Sequence, residues 1–210
     1  MFNAEEVSRL IAELSLGEEV LLGDIPDIDL YMDQVTAFMD KKLAHLKRHE
    51  PDKLLTKTMI NNYTKAELLM PPVKKKYSRQ HIALLFMIYN SKQILSINDL
   101  AMLLSPMKKN GHTFQNETNK HSSYTWIDTV YELIHETRRD ETRQLTEVCA
   151  EQARAIDEEV SELECQEQEQ LKWFLMVMFL ISQAALQKRL AETIIDRYFD
   201  TPHPAKSKQK

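Results

Sequence analysis

Glycine is nearly absent from this 210-residue chain, with three residues, and proline supplies only seven. A turn-rich β fold needs far more of both. The scarcity excludes sandwiches and barrels and points to an all-α or mainly α protein, for which Leu, Met, Glu, Lys, Gln and Ala are abundant. Cysteine is scarce too. Cys149 and Cys165 share one helical pattern and lie about 24 Å apart along it, too far to bridge within that helix. Each is expected to be a buried structural thiol. The opening "MFNAEEVSRL" begins with acids and has no apolar leader core, so the expected compartment is a reducing cytoplasm. Long apolar runs are missing as well. "WFLMVMFLI", Trp173 to Ile181, extends at most to Leu186, short of the ~20 residues that span a bilayer. A core or interface helix, and no membrane, is the expectation.

Catalytic and metal signatures are also lacking. There is no Gly-rich phosphate loop, no nucleophile elbow and no H-x-E with paired cysteines. His45 and His49 have the i,i+4 spacing of a zinc helix, but the "LKR" between them lacks the Glu of such sites and adds positive charge. Glu158, Glu159, Glu162, Glu164, Glu167 and Glu169 form an acidic cluster of the kind that coats a solvated helix face. No enzyme, cofactor or metal is expected, and a catalytic bundle using that cluster is the weakest of the readings.

What the chain does have is segregated charge. The net charge of −5 conceals −9 over residues 1–40, +8 over 41–81, +2 over 82–120, −10 over 121–170 and +4 over 171–210. A concentrated +8 suits a phosphate-facing surface, because each cation placed near a nucleic-acid backbone releases counterions. Within that block, Thr56 can cap a helix of about twelve residues that starts at Lys57 and is stopped by Pro71 and Pro72. At 100° per residue, Lys57, Thr58, Asn61, Asn62 and Lys65 share an arc of roughly 140°, with Met59, Ile60, Tyr63 and Ala66 opposite. That arc contains no acid. Asn can pair bidentately with adenine, and Lys can reach guanine or a phosphate. After the prolines, Lys74, Lys75 and Lys76 would project from a short loop beside the helix. Ser78 can cap the next helix, with Ile82, Leu85, Phe86 and Tyr89 inward, and Ser96 opens another with Asp99 in capping-box position.

The segments "TMINNYTKAELLMPP", "YSRQHIALLFMIY" and "ILSINDLAMLL" resemble the MerR-type winged helix-turn-helix of bacterial transcription regulators. In that family a recognition helix ends in Leu-Leu and proline, a basic wing follows, and Tyr-Ser begins the next helix. Together with "IPDIDLYMDQVTAFMDKKL", the chain is more closely similar to small bacterial proteins carrying a MerR-like domain of formally unknown function. The likeness covers about residues 24–107. It implies a winged helix-turn-helix on double-stranded DNA, with Tyr77 and Arg79 joining the arc and the three lysines as contact residues. Two departures stand out. The family's Arg and first aromatic are Asn61 and Asn62 here, and the glycine before Leu-Leu is Glu67.

Around this unit, residues 1–23 hold an amphipathic helix with Val7, Leu10, Ile11 and Leu14 on one face, ending near Gly17. A polar linker is expected over 108–122, long helices over 123–200 and a disordered basic tail over 201–210. Ile127, Tyr131, Ile134, Leu145, Val148, Gln152, Ile156, Val160 and Leu163 advance by threes and fours, as one helix or two in line, with the seam broken around "HETRRDETRQ". The last helix, Glu169–Phe199, is apolar around so much of its circumference that it must be covered on most sides, by the preceding helix or by a second subunit. The expected protein is a cytoplasmic, sequence-specific transcription regulator, a homodimer with no effector identified. The alternative is a helical interaction module whose basic patch docks an acidic protein, with the acidic 121–170 segment able to mask the patch.

Overall fold

The computed structural model describes residues 1–14, 19–49, 51–52, 54–106, 126–163 and 166–199. The expected linker, the tail, Cys165 and the stop near Gly17 lie outside them. The described chain is mainly helical. Helix α1 is Ala4–Glu13, β1 Leu30–Tyr31, α2 Met32–Lys42, α3 Lys57–Lys65, β2 Lys76–Tyr77, α4 Arg79–Ser91 and α5 Ile97–Leu103. Three longer helices follow: α6 Trp126–Arg138, α7 Glu141–Ser161 and α8 Gln168–Tyr198.

Helices α3, α4 and α5 begin where the sequence supplies a cap. Thr56 Oγ1 accepts from the Met59 N–H at 3.2 Å to start α3, and Ser96 with Asp99 forms the reciprocal box of α5. At α4 the third helical residue is His81. The Ser78 N–H donates to its Nδ1 at 3.1 Å, and its Nε2–H donates to the Pro71 carbonyl at 3.3 Å. Buried among apolar neighbours, His81 has its pKa pushed below the ordinary value. Helix α3 is shorter than expected because it closes in a Schellman turn. The Leu68 N–H reaches the Tyr63 carbonyl at 2.8 Å, the Glu67 N–H reaches that of Thr64 at 3.1 Å, and Glu67 takes the left-handed position with φ 55°. Helix α2 ends at Lys42 and is followed by a single 3₁₀ turn, Ala44–Leu46.

Two cores result. The larger gathers α2 to α5 around α4, in which every residue from His81 to Tyr89 is buried. Ile127 and Tyr131 of α6 enter this core, so it continues beyond residue 107. The smaller core joins Phe2, Val7 and Ile11 to Cys149, Ala153, Ile156 and Val160 of α7 and to Met176 of α8. Ile156 and Val160 face inward as the spacing predicted, whereas Leu145 and Val148 are exposed and Cys149 and Ala153 take their place. Burial raises the Cys149 pKa. The break at Arg139 and Asp140 separates α6 from α7 and lets each serve a different core.

Helix α8 is left largely uncovered by its own chain. Of its thirty-one residues, Lys172, Met176 and Ile195 are buried, and every residue from Leu180 to Leu190 is exposed. By length and composition alone it is long enough and apolar enough to cross a membrane, which corrects the count that stopped at Leu186.

Candidate nucleic-acid interface

Strands β1 and β2 pair antiparallel, Leu30 with Tyr77 and Tyr31 with Lys76. Val73 and Lys76 then exchange both backbone hydrogen bonds, at 2.9 and 3.1 Å, closing a two-residue hairpin over Lys74 and Lys75. Both tip lysines adopt positive φ, 50° and 64°, the turn that matches strand twist and that ordinarily selects Asn-Gly. Holding two side chains there costs about 1 kcal/mol or more each. The hairpin base sits against the start of α2, with Lys76 Nζ 5.2 Å above the Tyr31 ring. Helix α3 meets the same place, because Lys57 forms an ion pair with Asp33. The N-terminus of α3 and the root of the hairpin are therefore held two residues apart at the junction of β1 and α2.

Thr58, Asn61, Asn62 and Lys65 are exposed along α3, while Ile60 and Tyr63 are buried beneath them, as the arc required. Lys74 and Lys75 are exposed at the hairpin tip. Tyr77 and Arg79 are placed differently. Tyr77 is 3% exposed, packed edge-on against His81, and burial raises its pKa. It supports the surface from below and cannot touch a ligand on it. Arg79 reaches back to the Leu22 carbonyl and to Asp27, each at 3.4 Å, which ties the chain before α2 to the start of α4.

The charge pattern also changes on folding. Asp24, Asp27, Asp33 and Asp40 of the acidic N-terminal block pair with Lys42, Arg79, Lys57 and Lys47 of the basic block. The arc expected to be free of acid thus receives Asp33 from a neighbouring helix, a contact that no reading along α3 alone could find. Among the described residues, Lys65, Lys74 and Lys75 form no ion pair. On the surface that α3 and the hairpin share, the cations without an ion pair among the described residues therefore lie at the C-terminal end of α3 and at the hairpin tip. His45, half-buried, and His49, exposed, sit near the end of α2. No group of three metal-binding side chains occurs among the described residues.

A sequence profile described as a domain of unknown function, DUF1836, matches residues 20–147, more than half of the chain. The chain belongs to the DUF1836 family. No curated protein and no solved structure matches it. The matched DUF1836 region spans the whole larger core, including α6, and ends early in α7. The interface above therefore lies wholly within it, while α1 and α8 lie outside.

Proposed function

We propose that this DUF1836 protein is a cytoplasmic, sequence-specific DNA-binding regulator, built on a MerR-like winged helix-turn-helix and working as a homodimer. In this reading α3 is the recognition helix and the Val73–Lys76 hairpin is the wing. One observation carries it: an exposed carboxamide and hydroxyl face on α3 stands beside a hairpin whose tip lysines, without an ion pair among the described residues, occupy left-handed positions. Backbone strain of that kind persists where function requires the side chain. The Glu67 turn supports the likeness, because the residue standing where that family has glycine adopts the backbone glycine favours.

The second copy is supported by α8. Phe174, Val177, Met178 and Ile181 are 59, 50, 46 and 55% exposed and fall on one face at helix-pairing spacing, opposite the buried Lys172 and Met176. A bilayer suits this helix poorly, because the acidic α7 packs along it and buried Lys172 pairs with Asp157 at 2.6 Å.

The reading is tested by salt titration on a selected duplex and on random duplex. Replacing Lys74 and Lys75 by Ala should weaken both alike and lower the log–log salt slope by about 0.9 for each phosphate no longer neutralised. Asn61→Ala should cost about 1–3 kcal/mol on the selected duplex alone. Equal loss on both duplexes for Asn61→Ala would leave a basic surface that docks an acidic partner and reads no bases.

A further inference from the structure

A cavity of about 740 Å³ opens where the larger core meets the end of the last helix. Its volume falls inside the range of small-molecule sites, roughly 300–1,000 Å³. Phe86 and Met87 of α4, Trp126, Val130 and Ile134 of α6, and Phe199 just past α8 form an apolar wall. Protein interiors are close-packed, and a gap of this size forfeits dispersion attraction along all of its lining. The wall is nevertheless built firmly. The Tyr131 hydroxyl donates to the Val20 carbonyl at 2.6 Å, and burial raises the Tyr131 pKa, keeping the phenol protonated as that donor.

One end of the cavity is polar. Glu19 accepts from His135 Nδ1 at 2.5 Å and lies 3.7 Å from Arg138, whose Nε donates to Glu141 at 2.8 Å. The corner thus holds two carboxylates against one guanidinium and the imidazole of His135, with His45 also on the lining, and the Glu19 and His135 side chains are 23 and 14% exposed. An anionic ligand would find Arg138 already occupied from two sides, whereas Glu19, engaged by His135 and Arg138, offers about four acceptor sites on its two oxygens. A cation would find surplus acceptor capacity, together with the rings of Phe86, Trp126, Tyr131 and Phe199, whose faces attract positive charge.

We infer that this cavity binds a hydrophobic organic cation, an amine or onium centre on an apolar body, with the charge at Glu19 and the body against α4 and α6. Such a ligand would touch both the larger core and the end of α8, and so would link the two. Binding can be measured without DNA, so this inference stands or falls separately from the proposed DNA reading.

The test uses the full chain and two probes of the same shape and opposite charge, tetraphenylphosphonium and tetraphenylborate. Trp126 and Trp173 are the two tryptophans, so a Trp173→Phe background isolates the reporter in the cavity wall. Tetraphenylphosphonium should quench Trp126 saturably and bind at least about tenfold more tightly than tetraphenylborate. Glu19→Gln should weaken the phosphonium about tenfold and leave the borate unchanged or tighter. Val130→Trp, which fills the cavity and adds a tryptophan, is read by titration calorimetry and should abolish binding of both. Leu145→Trp at the more exposed rim, read the same way, serves the same purpose should the first variant fail to fold. Borate binding as tightly as phosphonium, no saturable quenching, or binding untouched by a filled cavity would each overturn the inference.

Discussion

Helices α4 and α8 are both apolar over much of their circumference, and the structure treats them oppositely. Nine consecutive residues of α4 are buried, whereas three of thirty-one in α8 are. The difference lies in the neighbours. Around α4 the chain supplies α2, α3, the hairpin, α5 and α6, so every side meets a partner from the same core. Helix α8 has α7 and the Phe2, Val7 and Ile11 cluster along its first half, and α5 also packs against it, but every residue from Leu180 to Leu190 stays exposed. Apolar sequence states that a face must be covered but leaves open what covers it. For α4 the answer is the chain itself, and for α8 we propose a second copy.

The largest effect should come from charging the open face. Phe174→Glu with Ile181→Glu should convert a dimer to a monomer of 24.6 kDa without loss of helical circular dichroism, since both residues are exposed. Binding to a duplex with two half-sites should fall on the order of 10²-fold as the avidity of the pair is lost. Sedimentation velocity reads the first and filter binding the second. A wild-type monomer at all concentrations would end the comparison, and cosedimentation with lipid vesicles would assign α8 to a membrane.

Matched truncations measure the contrast directly. Leu85→Ala, at a site with no exposure, should cost about 2–5 kcal/mol. Leu186→Ala, 64% exposed, should change the unfolding free energy of the charged-face monomer by no more than about 0.5 kcal/mol. Urea titrations of both variants test this. A large loss at Leu186 would show that α8 is covered within one chain.

His81 gives the closed region a pH response of its own. Burial holds the imidazole neutral in the folded state and its pKa below the usual 6.5, against the opposing pull of the Pro71 carbonyl and Asp29. As pH falls below about 6.5, the unfolded chain takes up a proton that the folded chain refuses. Stability from this group is therefore full above that pH and declines below it, by at most about 1.4 kcal/mol per pH unit. His81→Gln keeps an acceptor at the third helical residue and should flatten the slope. The difference in urea midpoint between variant and wild type from pH 7.5 to 5 measures it.

Much of the larger core could be read from the sequence, because its signals are local. Thr56, Ser78 and Ser96 start helices where capping chemistry places them, and the α3 arc emerges with its apolar side down. Signals that depend on distant partners were not legible. Nothing in "KTMINNYTK" reveals that Asp33 of another helix will neutralise Lys57, and Tyr77 reads as part of a basic stretch until pairing with Leu30 turns it inward. The cavity is less visible still, since its polar corner joins Glu19 to His135 across more than a hundred residues. The spacing of α7 pointed to Leu145 and Val148, which are larger than Cys149 and Ala153, yet close approach of α1 favours the smaller pair.

The hairpin tip offers the most diagnostic change, because it sets stability against function at one turn. Lys74 and Lys75 hold left-handed backbone that costs about 1 kcal/mol each, at positions where Asn-Gly would relax it. The double change Lys74→Asn and Lys75→Gly should therefore raise the unfolding free energy by about 1–2 kcal/mol. A stabilising substitution at an exposed turn is ordinarily free of consequence. Here it removes two exposed cations that form no ion pair among the described residues, so affinity for every duplex should fall together with the salt slope. The joint outcome, a more stable protein that binds DNA less well, would show that the strain is retained for the lysines. A stabilised variant with unchanged affinity on both duplexes would remove the hairpin from the interface and leave α3 alone as the surface to explain.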